Sequence, residues 1–344
     1  MSGADYKIAG RDAVLDGLRA ISIALVLIHH VRAGLGYGVS PLFPFTGVAG
    51  VTLFFIISGY LITDLLLVEK RERGVISLSR FYLRRGFRIF PAFYVFLAVM
   101  VVARAFGEVS FSSRELLASA TYWRNLYQGG QSVLQHTWSL SVEEQFYLGW
   151  PLLLKFGRLR HALGFAVAAT FIQPVLRFFV RGSYFYESGA VALNSAGLET
   201  ILVGCILACA LRYSDAESFL VQHLRGLTKP WLFGGALYVL YLEAPNMTGP
   251  ITVILPAVRN LLLAGFLFSV LAGRHHPLGK VLGWRPISFI GVISYSLYLW
   301  QQPFLVGVEG RITPLVGISL SLVVAVLSYK WIEQPALRYR RRVE

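Results

Sequence analysis

Charged side chains are scarce in this chain. Asp, Glu, Lys and Arg make up 15% of its 344 residues, whereas they make up about 25% of a typical soluble protein. Hydrophobic residues account for 56% of the chain, and its mean hydropathy is +0.60. This composition excludes an ordinary soluble domain. It predicts an all-α, polytopic membrane protein that is embedded in a lipid bilayer.

Acidic residues are the rarer of the two charges. The chain has 18 Asp and Glu against 32 Lys and Arg, which gives a formal net charge of +14. In a soluble chain this excess would suggest a nucleic-acid partner. Here the basic residues lie in short loops between apolar runs, so we interpret them as membrane-topology signals. No nucleic-acid partner is expected.

Cysteine is nearly absent, and so are the sequence signs of secretion or of several domains. Cys205 and Cys209 lie four residues apart in one apolar run, which favours packing over a disulfide. No metal site is expected. The first apolar run is too long and continuous for a cleavable signal peptide. Without internal repeats or long linkers, we expect one membrane domain over residues 1–344 with no appended soluble domain.

Ten apolar stretches are long enough to predict membrane spans. They cover residues 14–34, 46–68, 90–106, 136–154, 161–180, 196–213, 228–243, 251–272, 287–307 and 314–333. Residues 107–135 are too polar to cross and are expected to lie along the membrane surface. With a cytoplasmic N-terminus, the inner segments hold 22 Lys and Arg and the outer segments hold 7. This asymmetry predicts that both termini are cytoplasmic.

The first apolar run carries polar groups that are costly in a membrane. Asp16, Arg19, His29 and His30 all lie in it, and titratable groups inside a span indicate a functional site. Arg19 and His30 are eleven positions apart, about three helical turns, so they share one stripe, while His29 is turned about 80° away. The alternative is a helix–helix hydrogen bond beside an arginine that extends to the membrane surface.

A second candidate site is the basic stretch of residues 80–91. Arg85 and Arg88 in this stretch are i,i+3 neighbours on a helix and would present two guanidinium groups to one side. Such groups match the bidentate geometry of phosphates. A topology signal, or a segment that binds lipid headgroups, is the alternative.

The third candidate motif, residues 136–147, opens the fourth predicted span. It begins with His136 and Trp138, and Glu143 lies about 10–12 Å deeper in the membrane. His30 lies about 16 Å from Arg19 along its own helix, which gives it a similar depth. An acid and an imidazole at one depth on different helices suit a base and the group that orients it. A structural Glu–His pair is the alternative.

These motifs together resemble the acyltransferase-3 family of bacterial membrane O-acyltransferases. The resemblance extends over nearly the whole chain. It is carried by LDGLRAISIALVLIHH at 15–30, GVTLFFIISGYLIT at 50–63, RFYLRRGFRIFP at 80–91, HTWSLSVEEQFYLGWP at 136–151, ISYSLYLW at 293–300 and WIEQP at 331–335. It implies about ten transmembrane helices in the bacterial inner membrane. It also implies transfer of an acyl group from cytoplasmic acyl-CoA, with acetyl-CoA as the expected donor, to a hydroxyl of a carbohydrate or lipid-linked glycan.

The resemblance also implies roles for individual residues. The family's Arg-x10-His motif matches Arg19 and His30, and it makes His30 catalytic. Its Arg-x-x-Arg motif matches Arg85 and Arg88, and its Ser-Val-Glu motif matches Ser141, Val142 and Glu143. One position departs from the pattern. Many relatives have Tyr-Leu-Trp-His where this chain has Gln301 as the last residue, so a histidine there is not essential here.

The hypothesis from sequence is therefore an O-acyltransferase with three groups of site residues. Arg19, Arg85 and Arg88 would bind the acyl-CoA phosphates, and His30, oriented by Glu143, would be catalytic. His30 would either deprotonate the acceptor hydroxyl or accept the acyl group itself. Residues expected on the acceptor side are His136, Trp138 and Ser141. The alternatives are a secondary transporter, which would favour inverted repeats that are not visible, and a glycan-export partner without catalysis.

Overall fold

The structure is a computed structural model, and all the regular elements in the part of the chain that it describes are helices. The described residues are 12–37, 44–45, 47–127, 130, 132–180, 190–212, 229–243, 251–272, 277–307 and 312–343. The helices are α1 (Ala13–Gly34), α2 (Gly47–Arg73), α3 (Leu78–Ala105), α4 (Ser113–Ala120), α5 (Thr137–Phe156), α6 (Leu159–Val180), α7 (Ala190–Arg212), α8 (Pro230–Glu243), α9 (Ile251–Ala272), α10 (Pro277–Leu282), α11 (Arg285–Val292), α12 (Ser294–Leu305), α13 (Pro314–Ser328), a π-helical turn (Tyr329–Glu333) and α14 (Gln334–Val343).

Helices lie at all ten positions where a span is predicted, which confirms the all-α membrane fold. Within the described residues, five helices are long and apolar enough to cross a bilayer. They are Ala13–Gly34, Gly47–Arg73, Leu78–Ala105, Ile254–Ala272 and Pro314–Arg340. The count of ten spans and the cytoplasmic placement of both termini stay predictions.

Two of the predicted spans differ from the helices at the same positions. The third predicted span begins at residue 90, but α3 begins at Leu78 and includes the basic stretch of residues 80–91. Arginines lower the hydropathy there, yet Phe81 and Ile89 on the same helix are buried in the core. The ninth predicted span, residues 287–307, is two helices, because α11 ends at Val292 and α12 begins at Ser294.

The first helix, α1, lies at the centre of the described bundle and carries the first candidate motif. Its N-cap is Asp12, whose carboxylate accepts a hydrogen bond from the backbone N–H of Val14 at 3.0 Å. The helix packs against α2, α10, α11 and α12. A side chain at Gly291 of α11 would collide with the backbone of Asp16, so glycine at this position lets the two helices approach closely.

Helices α2 and α7 are also packed backbone to backbone. A Cβ atom added at Gly59 of α2 would collide with the carbonyl of Ile201, and one added at Gly204 of α7 would collide with the carbonyl of Ile56. Small residues allow such close packing in membranes, where van der Waals contact drives helix association. The contact holds the middle of α2 in position, and that part of α2 carries Ser58.

The segment between α3 and α5 contains a buried ion pair. Arg124 is only 2% exposed and donates to Glu115 of α4 at 3.2 Å, to the carbonyl of Tyr127 at 2.6 Å and to Gln135. Glu115 also completes a capping box with Ser112 at the start of α4. The sequence predicts that this segment lies at the membrane surface. Trp123 is exposed, but the charged side chains of Arg124 and Glu115 are buried and paired.

Candidate active site

Three adjoining cavities extend through the helix bundle. The first, which we call the histidine cavity, has a volume of about 860 Å³. It lies between the end of α1, the start of α2, the start of α5 and the end of α12. The side chains that line it include His29, His30, His136, Trp138, Tyr298 and Gln302.

The second cavity, which we call the neck, is much smaller, at about 50 Å³. Its polar lining is Arg19, Ser58, Ser139, Glu143, Ser294 and two tyrosines. It shares Val51 and Tyr298 with the histidine cavity. On its other side it shares Arg19 and Ser58 with the third cavity. The neck therefore lies between the two larger spaces.

The third cavity, which we call the arginine cavity, has a volume of about 700 Å³ and lies at the opposite end of the bundle. It is formed by the start of α1, the end of α2, the start of α3 and α14. Its arginines are Arg19, Arg73, Arg84, Arg85, Arg88 and Arg340. Two glutamates, Glu69 and Glu72, also line it, so the lining has a surplus of four positive charges.

His30 is held by an amide. Its Nδ1 lies 2.7 Å from Oε1 of Gln301 on α12, and Gln301 is fully buried. The amide nitrogen of Gln301 donates to Oε1 of Gln302 at 3.2 Å, so Oε1 of Gln301 is its accepting atom. With this orientation of the two amides, His30 carries its proton on Nδ1 and Nε2 is its basic nitrogen.

Glu143 is not the group that orients His30. It lines the neck rather than the histidine cavity, and its carboxylate accepts a hydrogen bond from Ser58 at 2.6 Å. Tyr147, one turn further along α5, donates to the same serine at 3.3 Å. Glu143 and His30 lie at similar depths and line adjoining cavities. They do not contact each other as expected, because His30 is hydrogen-bonded to Gln301 and Glu143 to Ser58.

The structure brings the three predicted donor-site arginines together. Arg19, Arg85 and Arg88 all line the arginine cavity, and Arg19 extends to the neck. The guanidinium carbon of Arg85 lies 4.3 Å from the ring centroid of Tyr147, a cation–π contact that fixes its direction. Arg19 and His30 thus lie on one helix, but they line different cavities, separated by the neck.

Two of the three residues expected on the acceptor side line the histidine cavity. These are His136 and Trp138 at the start of α5. Ser141 is fully buried outside the cavity lining. Its hydroxyl donates to the carbonyl of Thr137 at 3.0 Å and accepts from the backbone N–H of Arg124 at 3.2 Å. Its contacts therefore attach the α3–α5 segment to α5.

His29 does not point away from the site, as the helical repeat suggested. It lines the histidine cavity beside His30, with the two ring centroids 5.5 Å apart. The cavity is wide enough to include adjacent positions of α1. His29 also packs against α2, because a Cβ atom at Gly47 would lie 2.8 Å from its ring.

The sequence does not reveal Gln301, which contacts His30, or three residues that line the cavities. In the sequence, Gln301 is only a departure from the family pattern, and no spacing or charge pattern indicates a role for Ser58, Tyr298 or Arg340. Arg340 is one of four arginines in the tail, and nothing in its spacing distinguishes it from its neighbours. Cys205 and Cys209 are free and buried, as the prediction of packing requires. Within the described residues, no three His, Cys, Asp or Glu side chains could hold a metal ion.

Comparisons with known proteins identify the family of this chain. The profile of the acyltransferase-domain family Acyl_transf_3 matches residues 12–330. O-acetyltransferase OatA of Staphylococcus aureus (strain NCTC 8325 / PS 47) is 28% identical over 370 residues, covering 93% of this chain and 56% of OatA. A second S. aureus protein (strain COL), named as a candidate O-acetyltransferase, is 29% identical over 371 residues with the same coverage. This chain spans about half the length of these curated relatives. No solved structure matches it.

Proposed function

Because this chain belongs to the acyltransferase-3 family, we propose that it is a membrane O-acyltransferase. It takes an acyl group from acyl-CoA on the cytoplasmic side and transfers it to a hydroxyl of a carbohydrate or lipid-linked glycan. The membrane is the bacterial inner membrane. The observation that carries the proposal is the row of three cavities, with arginines at one end and, at the other, a histidine that is hydrogen-bonded to a buried amide.

The arginine cavity suits the nucleotide part of coenzyme A. Coenzyme A carries a pyrophosphate and a ribose 3′-phosphate, about four negative charges in all, since a phosphomonoester contributes about −1.5 to −2 at pH 7. The lining has a surplus of four positive charges. Guanidinium groups bind phosphate oxygens in a bidentate fashion. Arg19, Arg85 and Arg88 are the arginines nearest the neck in this proposal.

The neck suits the thioester end of the donor. A narrow space of about 50 Å³ favours a short acyl group, with acetyl as the first candidate. The name O-acetyltransferase of the relative OatA supports the same group. On the far side of the neck, His136 and Trp138 would contact the acceptor. An indole surface beside polar groups is typical of sugar-binding sites.

His30 supplies the base. Its Nε2 takes the proton of the acceptor hydroxyl while the hydroxyl oxygen attacks the thioester carbonyl carbon. The C–S bond then breaks, and the imidazolium returns the proton to the leaving thiolate, so that an ester and free coenzyme A are the products. If His30 is acylated first, Nε2 attacks the thioester carbonyl carbon and the C–S bond breaks to release the coenzyme A thiolate. The acceptor oxygen then attacks the acyl carbon, the C–N bond breaks, and the freed Nε2 takes the hydroxyl proton and passes it to the thiolate. Gln301 holds the opposite nitrogen protonated in both routes.

Radiolabelled acetyl-CoA and the purified full-length protein in lipid nanodiscs test the proposal. The expected result is acceptor-dependent release of coenzyme A with transfer of label to a glycan acceptor. His30→Ala should abolish the transfer, and His161→Ala, at an exposed position on α6, is the matched control. Wild-type protein that binds a glycan or moves it across a membrane, but transfers no label, would favour the transporter or the export partner instead.

A further inference from the structure

The C-terminal helix α14 returns to the donor end of the bundle. It packs against α3, where the rings of Tyr339 and Phe87 lie 5.8 Å apart between centroids. Phe87 lies between Arg85 and Arg88, the two α3 arginines that are expected to bind the donor phosphates. The contact places α14 beside the arginine cavity, and Arg340 lines that cavity.

The arginines of this cavity differ in their surroundings. Arg19 also lines the neck, so it marks the deep end. Arg84 at the start of α3 lies 3.6 Å from the Glu69 carboxylate, which offsets part of its charge. Arg73 and Glu72 are exposed at the end of α2 and form the solvent-facing rim. Arg340 lines the cavity without reaching the neck.

We infer that Arg340 is a phosphate-binding residue for the nucleotide end of acyl-CoA, and that it contacts the ribose 3′-phosphate. The inference rests on the proposed function for the identity of the donor. The thioester end enters the neck, so the nucleotide end lies on the side of the cavity away from Arg19. A phosphomonoester carries the largest single charge of the donor, and a guanidinium is its preferred partner.

The same phosphate chemistry also occurs in anionic lipid headgroups, which basic segments at the cytoplasmic surface attract. The two sources are distinguishable, because only the donor carries a removable 3′-phosphate. The matched control is Arg338, which is exposed on the same helix and is not among the residues that line the cavity. Arg340→Ala and Arg338→Ala remove the same charge from the same helix.

The experiment compares acetyl-CoA with acetyl-(3′-dephospho)-CoA in nanodiscs of zwitterionic lipid. Arg340→Ala should raise KM for acetyl-CoA roughly tenfold to a hundredfold, as expected for the loss of a charge-assisted hydrogen bond, with kcat nearly unchanged. With the dephospho donor, Arg340→Ala and wild type should have similar KM values. Arg338→Ala should match wild type with both donors.

Binding of 3′,5′-ADP to the full-length protein gives a second readout that needs no transfer. Arg340→Ala should weaken this binding, and 5′-AMP should bind wild type and variant alike. If wild type transfers acetyl groups while Arg340→Ala leaves both KM and 3′,5′-ADP affinity unchanged, the inference is overturned and the proposed function stands. If 3′,5′-ADP binding depends on Arg340 but no transfer occurs, the phosphate site stands and the proposed function fails. A defect that appears only in anionic lipid would assign Arg340 to headgroups and overturn the inference.

Discussion

His30 is hydrogen-bonded to an amide where a base in many hydrolases has a carboxylate. The Gln301 oxygen accepts the Nδ1 proton at 2.7 Å and so selects the tautomer, as a carboxylate would. An amide has no charge, however, and does not stabilise the imidazolium that forms during proton transfer. The site therefore separates the two tasks of an orienting acid. Gln301 sets the direction of the ring, and the environment of the cavity sets how readily the ring is protonated.

Changing the charge of Gln301 should move the pH dependence of transfer. In Gln301→Glu the carboxylate would favour the protonated imidazole, so the pH below which kcat falls should rise by about one unit or more. Gln301→Leu should lower kcat roughly tenfold or more, because the tautomer is no longer selected. The measurement is kcat against pH at saturating donor. Other titratable side chains that share the cavity are His29 and His136, so their alanine variants should be profiled as well. A profile that is identical in all Gln301 variants would reduce Gln301 to a packing residue.

The two adjacent histidines should separate into two roles. His30→Ala should abolish transfer and leave binding of the donor intact, since the arginine cavity lies beyond the neck. His29→Ala should retain transfer but raise KM for the acceptor, because His29 lines the same cavity and packs against α2. Initial rates at matched folded protein check both expectations. If His29→Ala were inactive and His30→Ala active, the roles of the two histidines would be reversed.

At this scale, the sequence predicts which residues converge but not which ones pair. Helical rise gives the depth of His30 and Glu143 correctly enough to bring them to adjoining cavities. It contains no information on the lateral packing of α5 and α12, which decides that Ser58 meets Glu143 and Gln301 meets His30. Ser141 belongs to the same motif as Glu143, yet the 100° step between helix positions directs it to the α3–α5 segment instead.

Among the elements, the α3–α5 segment is stabilised by the buried ion pair of Arg124 and Glu115. Burial raises the pKa of Glu115. Hydrogen bonds from the Ser112 backbone and from the Ser132 and Ser112 hydroxyls, together with the charge of Arg124, lower it by more, so the pKa lies below its ordinary value of 4.5. A carboxyl group with a lowered pKa stabilises the fold above its unfolded pKa. The stabilisation is lost as the pH falls through the lowered pKa.

Glu115→Gln should therefore destabilise the protein at neutral pH. The substitution leaves Arg124 buried opposite a neutral amide, and breaking a buried pair costs about 3–5 kcal/mol. Thermal unfolding in detergent at pH 7 and at several values below 4.5 measures the difference. It should be largest at pH 7 and shrink as wild-type Glu115 is protonated. Glu108→Gln, at an exposed position in the same segment, is the control. An equal difference at every pH would contradict a role for the charge.

The sequence predicts the elements better than their ends. Hydropathy detects every long apolar run, because burial in lipid requires it. It misses the first three turns of α3, where buried Phe81 and Ile89 alternate with arginines, and the break between α11 and α12 at Ile293. The start of α3 and the break at Ile293 depend on tertiary packing. Hydropathy is averaged over a window of residues, so it does not detect them.

For the molecule as a whole, donor affinity should depend on the arginine cavity rather than on total positive charge. Arg85→Ala and Arg88→Ala should each raise KM for acyl-CoA, since each deletes a charge-assisted bond of about 1.5–3 kcal/mol, roughly tenfold or more. Lysine at either position should restore only part of the affinity, because a point charge lacks the guanidinium fork. Arg158→Ala, which removes an exposed arginine between α5 and α6, should leave KM unchanged. Unchanged donor affinity in both cavity variants would leave them as topology charges.

The scarcity of cysteine makes the membrane orientation simple to measure. Both native thiols are buried, so single cysteines introduced at exposed positions can be labelled selectively. In right-side-out vesicles, an impermeant maleimide should label Trp123→Cys at once and Arg342→Cys only after permeabilisation. This pattern follows from the excess of Lys and Arg in the inner segments. The opposite pattern would place both termini outside.

The π-helical turn Tyr329–Glu333 determines which residues of α14 face the donor. It interrupts an otherwise continuous rod, Pro314–Arg340, and one residue more or less in a helix rotates everything after it by about 100°. If these five residues formed regular α-helix instead, the composition and charge of α14 would be unchanged, but Tyr339 and Arg340 would turn about 100° away from α3 and the arginine cavity. The π-helical winding of these five residues thus sets the angular register of α14, and with it the side chains that face α3 and the arginine cavity.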